Sequence, residues 1–254
     1  MTFHDATFRL LGSEPRFSLT AKNCLDESQH RLGITLPASV RDWYERESAI
    51  RVLADYSNED PPIEVSQFEL IRWQSKTLMP IRYENQGACT WAIEIDDSDN
   101  PPVLVDVDTN GTHWNLLAKS FSAYVYSCVW DYKIVLNQPA LVQAQNRKLS
   151  DVARKELFKR LTPEVTTHGW PGRTQLRFRD SGFGVLIWDS EEQADWFVGA
   201  SDNESLRLGL EAVWELDSVG NSFYDCTESG RQVLAQMQRR PNKTVNPSGG
   251  SGGF

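Results

Sequence analysis

Residues 84–106 read ENQGACTWAIEIDDSDNPPVLVD, two apolar runs separated by an acidic turn. Asn85 and Gly87 suit a tight turn, because Asn tolerates left-handed backbone and Gly adopts it without steric cost. Trp91, Ile93 and Ile95 then recur at every second position, the signature of a strand with one face on a core. Pro101-Pro102 ends pairing before the next run opens at Val103, since neither proline can donate to a ladder. These residues specify a fold and carry no evident chemistry, which favours binding over catalysis.

Working outward, residues 78–83 and 112–117 read as further strands, the latter entered through Asn110-Gly111, a hairpin signal. Three or four of these strands are expected to pair antiparallel. Upstream, an amphipathic helix is predicted over residues 19–31 with a stop at Gly33, followed by a second helix opened by Pro37. Val40, Trp43 and Tyr44 share one face of it at i, i+3 and i+4. Downstream, Ser120 is an N-cap candidate, and Phe121, Tyr124, Val125, Cys128, Val129 and Tyr132 follow at helical spacing. Residues 1–136 thus read helix, helix, meander, helix.

The polar stretch 137–147 reads as a connector. Residues 148–240 read as a small α+β extension or second domain: a helix over 151–161, strands at 175–178, 184–188 and 194–198, and a helix over 204–216 with Leu206, Leu210, Val213 and Trp214 on one side. Residues 241–254, ending SGGSGGF, read as a flexible tail or an engineered remnant.

The 254 residues carry a net charge of −9, unevenly spread. Residues 1–140 hold twelve Lys or Arg against twenty Asp or Glu, a balance of −8. That half repels phosphate backbones and steers basic partners inward, so nucleic acid is not the expected partner. No run approaches the length of apolar residues a membrane span needs, and no secretory signal is visible at the N-terminus. Cys24, Cys89, Cys128 and Cys226 form no C-x-x-C pair, so a reducing cytoplasm is the expected location.

Leu32-Gly33-Ile34-Thr35-Leu36-Pro37 with Trp43-Tyr44, followed by residues 84–93 and Asp99-Asn100-Pro101-Pro102-Val103, resembles the SUKH superfamily, which includes a yeast cell-wall synthesis regulator and many bacterial immunity proteins. The likeness covers about residues 19–136. The chain departs from it at Glu45-Arg46-Glu47, where the family's helix pair often ends in Asn-Gly. The resemblance implies an α+β fold with a mixed or antiparallel sheet and flanking helices, no catalytic residues, and a protein partner. In bacteria that partner is commonly a toxin, so the resemblance implies an immunity protein, with a regulatory or scaffolding module of the same fold as the alternative. The family's contact residues vary, and none is carried over.

Five carboxylates, Asp96, Asp97, Asp99, Asp106 and Asp108, flank consecutive strands and are the candidate rim for a basic toxin domain. Asp106 to Gly111 matches the first six positions of a calcium loop, but its twelfth position is Leu117 rather than a bidentate carboxylate, so neither metal nor other cofactor is expected. No G-x-S-x-G elbow is present, and His4, His30, His113 and His168 have no motif around them. Gly182-Phe183-Gly184 reads as a hairpin turn, not a phosphate cradle. The basic run through Arg147-Lys148, Arg154-Lys155 and Lys159-Arg160 reads as a solvated helix face. An enzyme with a site around His168, Arg173 and Asp180 is the remaining alternative.

Overall fold

The computed structural model describes residues 2–108, 110–169 and 173–239. Four helices open the chain: α1 (Asp5–Leu11), α2 (Leu19–Leu32), α3 (Ala38–Tyr44) and α4 (Ala49–Asp55). Helix α2 matches its prediction closely. The Ser18 hydroxyl accepts from the Ala21 amide at its start, and Gly33 ends it with φ +68°. Pro37 precedes α3, whose Val40, Trp43 and Tyr44 are buried. Between α3 and α4 the chain turns through Ser48, left-handed at φ +64°.

Strands β1 (Ile71–Trp73), β2 (Lys76–Tyr83), β3 (Thr90–Glu94), β4 (Val103–Asp106) and β5 (Trp114–Ala118) form an antiparallel meander in sequence order. The turn before β3 uses Gly87 at φ +76°, and the Glu84 carboxylate accepts from the Gln86 and Ala88 amides. Trp91 and Ile93 face a core with Trp43, Tyr44, Phe68 and Phe121, as their alternation requires. Ala92 is buried too, on the opposite face, in a cluster with Leu78, Leu104 and Trp114. Asn110-Gly111 is not a two-residue hairpin. Asp106 pairs with Trp114, so the connection is longer, and the Asp106 carboxylate accepts from the Asp108 and Gly111 amides to hold it.

Helix α5 (Phe121–Trp130), capped by Ser120, packs on this first core and runs without a break into a π-helical turn, Asp131–Leu136. The polar stretch expected to be a connector is instead strand β6 (Ala140–Arg147), an interior strand of a second sheet. Its Ala140, Val142 and Ala144 alternate into a core, while Gln143 and Gln145 lie on the other side.

After α6 (Asp151–Arg160) come β7 (Thr162–Pro163), β8 (Thr174–Asp180), β9 (Phe183–Asp189), β10 (Gln193–Ala200), α7 (Asn203–Val213), β11 (Phe223–Asp225) and α8 (Glu228–Gln238). The sheet is antiparallel throughout, in the order β11-β6-β10-β9-β8-β7. The β8–β9 hairpin turns at Ser181-Gly182, with Gly182 at φ +87°, while Phe183 and Gly184, read as part of the turn, are already paired in β9. One face packs on the core of α6, α7 and α8 around Trp196, Phe178, Leu157 and Leu210. The other receives Trp130 and Val135 from α5 and its π turn, against Leu186 and Phe197. Gly199 and Gly184, opposite one another in β10 and β9, permit that approach: a Cβ on Gly199 would lie 2.4 Å from the Val135 carbonyl oxygen.

The α+β expectation holds, with two antiparallel sheets sharing one helix between them. No helix among the described residues is long and apolar enough to cross a membrane. The expected tail, 241–254, lies outside the described residues.

Candidate functional site

The structure does not gather the five candidate carboxylates into one rim. Asp96, Asp97 and Asp99 lie exposed in the β3–β4 turn, and Asp108 lies exposed beyond the opposite end of β4. Asp106 is buried and spends both oxygens on backbone amides, so it is a loop brace rather than a contact residue. Asp108 pairs with His113 at 2.8 Å. The β3–β4 turn is held firmly: Asp96 Oδ1 accepts from the Ser98 amide, the Ser39 amide donates to the Asp99 carbonyl at 2.8 Å, and the Asn100 amide group exchanges hydrogen bonds with Ser122 at the start of α5. Asp96, Asp97 and Asp99 make no ion pair with a described residue.

A second feature escaped the sequence. Between the two sheets, beside α5 and its π turn, lies a cleft of about 560 Å³ lined by residues of both halves. Arg82 of β2 reaches it from one side. Its guanidinium is buried, lies 5.8 Å from the Trp91 ring centre and 5.7 Å from that of Tyr124, and donates to the Leu53 carbonyl and to Cys128 Sγ. Its Nε has no hydrogen-bond partner, and no described carboxylate approaches within 4.0 Å. From the other side comes Trp188 of β9, whose Nε1 is likewise buried without a partner.

Charge elsewhere in the cleft is accounted for. Arg177 and Asp131 form a buried bidentate pair, Nε to Oδ1 at 2.6 Å and Nη2 to Oδ2 at 2.7 Å, across the junction. Burial pushes the Asp60 carboxyl up, while nearby Arg82 and the Asn85 amide pull it back. Burial also pushes the Cys128 thiol up, which keeps it protonated and is opposite to what a nucleophile requires. The signal that could have revealed Arg82 was its place in an apolar strand, since a charge there must be paired or functional.

His168, Arg173 and Asp180 are not brought together. Arg173 pairs with Asp195, and the His168 ring lies 3.4 Å from the Thr174 hydroxyl. Asp180 caps Ser181 at the far end of β8. Residues 170–172, between His168 and Arg173, lie outside the described residues. In the basic run, Lys159 and Arg160 pair with Glu156 along the solvated face of α6, whereas Arg154 reaches the buried Asp189 of β9 and Arg147 ends β6. Among the described residues no group of three or more His, Cys, Asp or Glu is arranged to hold a metal ion. No family model, curated protein or solved structure matches the chain.

Proposed function

We propose that the chain is a protein-binding module, an immunity protein that binds and neutralises a cognate toxin, and that the basic surface of that toxin docks on the acidic turn at Asp96, Asp97 and Asp99. The observation that supports this reading is the combination of exposure and rigidity in that turn. Its three carboxylates face solvent without cationic partners among the described residues, on a backbone fixed by Ser39 and Ser122. A preorganised acidic surface loses little conformational freedom on docking and accelerates encounter with a basic partner. The charge balance of the first 140 residues acts in the same direction.

The test is affinity capture from a lysate of the source organism with the wild-type chain and with Asp96→Lys, Asp97→Lys, Asp99→Lys combined. All three positions are exposed, so the fold is expected to survive, which circular dichroism checks. A basic protein recovered by the wild type and lost by the triple variant supports the reading. Equal recovery by both, or recovery of no basic protein, overturns it. For a purified pair, reversal is expected to lower the association rate at least about tenfold at low salt, with the difference shrinking as salt rises.

A further inference from the structure

We propose that the cleft between the two sheets is a second binding site, independent of the acidic turn, for a carboxylate monoanion carried on an apolar body, with Arg82 as its anchor. A buried donor without an acceptor costs free energy, and three residues that line the cleft each carry one: Arg82 Nε, Tyr124 Oη and Trp188 Nε1. Arginine stays protonated in any protein environment, so Arg82 brings a full positive charge into a site where no described carboxylate lies within 4.0 Å of it. An incoming acceptor with a negative charge satisfies both conditions.

The remaining lining narrows the ligand. Trp91, Tyr124, Trp188 and Phe197 present ring surface, which suits an apolar or planar body beside the charged group. Asp131 is consumed by Arg177, whereas Asp60 and Glu84 also border the cleft. Those carboxyls, of which Asp60 lies near enough for its charge to act on Arg82, disfavour a doubly charged phosphate and favour a ligand with a single negative charge. The volume of about 560 Å³ falls within the roughly 300–1,000 Å³ range of small-ligand sites. A carboxylate and a guanidinium form two parallel hydrogen bonds, and Arg82 can offer Nε as one of the two donors.

Calorimetric titration with N-acetyl-phenylalanine, with N-acetyl-phenylalanine amide as its uncharged counterpart, tests the proposal on the full chain. The acid is expected to saturate with a dissociation constant on the order of 1 mM or below, and the amide to bind at least about tenfold more weakly. Arg82→Met is expected to erase that discrimination, and Trp188→Phe, which keeps a ring and removes the donor, to weaken the acid about three- to tenfold. Equal binding of acid and amide, or no binding of either up to about 20 mM, overturns the proposal. So does full discrimination in Arg82→Met. Should Arg82→Met fail to fold, Trp188→Phe decides, and unchanged affinity there overturns the proposal. A hexapeptide ending in phenylalanine with a free C-terminus separates the sources. Binding equal to that of the single amino acid assigns the carboxylate to a chain end, and weaker binding assigns it to a free small molecule.

Discussion

His4 is buried among aromatic rings, 5.0 Å from that of Trp43 and 5.8 Å from that of Phe121, centre to centre. Its Nε2 lies 2.9 Å from the Ser39 carbonyl, so Nε2 carries the proton and donates. Burial lowers its affinity for a second proton; the Ser39 bond and Asp42 oppose that shift, and Arg46 adds to it. The unfolded chain therefore binds a proton near pH 6.5 that the folded chain refuses until lower pH. The stabilisation is complete above the ordinary histidine pKa and is lost as pH falls through the depressed one. The melting temperature of the wild type is expected to drop on acidification from pH 7 to pH 5, and that of His4→Gln to drop less; parallel curves would refute the assignment. His4 was not legible as anything special in the sequence, and Arg82 showed only as a lone charge in an apolar strand. A strand pattern tells which side of a residue is buried, but a lone charge acquires its meaning from what the other half of the chain places beside it.

Helix α5 is the element on which both halves depend, because its first turns complete one core and its π-helical continuation lies on the other sheet. The contact is backbone against backbone at Gly199, where Val135 leaves no room for a Cβ. Gly199→Ala is expected to lower stability by about 1–3 kcal/mol, as overpacking at a rigid contact does, measured by urea denaturation. A change of less than about half a kcal/mol would mean that the π turn can yield. Elements with strong periodicity and caps, such as α2, α5 and α7, were readable from their own residues. Strand β6 was not, because one face is built from Ala140, Val142 and Ala144 and the other carries Leu141 followed by Gln143 and Gln145. Alternation of small and polar residues resembles a loop until a sheet supplies the partner strands.

For the whole molecule, hydrogen bonds cross the boundary near residue 136 that separates the two sheets. Arg177 of β8 is clamped to Asp131 of the π turn, and the His168 amide donates to the Leu117 carbonyl of β5 at 2.7 Å. Removing one member of a buried ion pair leaves the other uncompensated, a loss of about 3–5 kcal/mol. Arg177→Met is expected to shift a single unfolding transition, with tryptophan fluorescence and far-ultraviolet dichroism moving together. Two separated transitions in the wild type would show that the halves fold apart. The acidic turn was legible because three aspartates stand in four residues. The cleft was not, since its walls come from β2, α5, β6 and β9, scattered over more than a hundred residues.

The sheets also end in a particular way. In the larger one the outermost strands, β7 and β11, are stubs of two and three residues, and in the smaller one β1 has three while β5 already has an amide from His168 against its outer edge. A long open edge is a template on which another chain can lay a strand and begin a fibre. With three borders this short and a hydrogen bond from His168 on the fourth, the described residues give a neighbouring copy little to extend. At high concentration, self-association of the folded chain is therefore left to its side-chain surfaces, not to backbone recruitment.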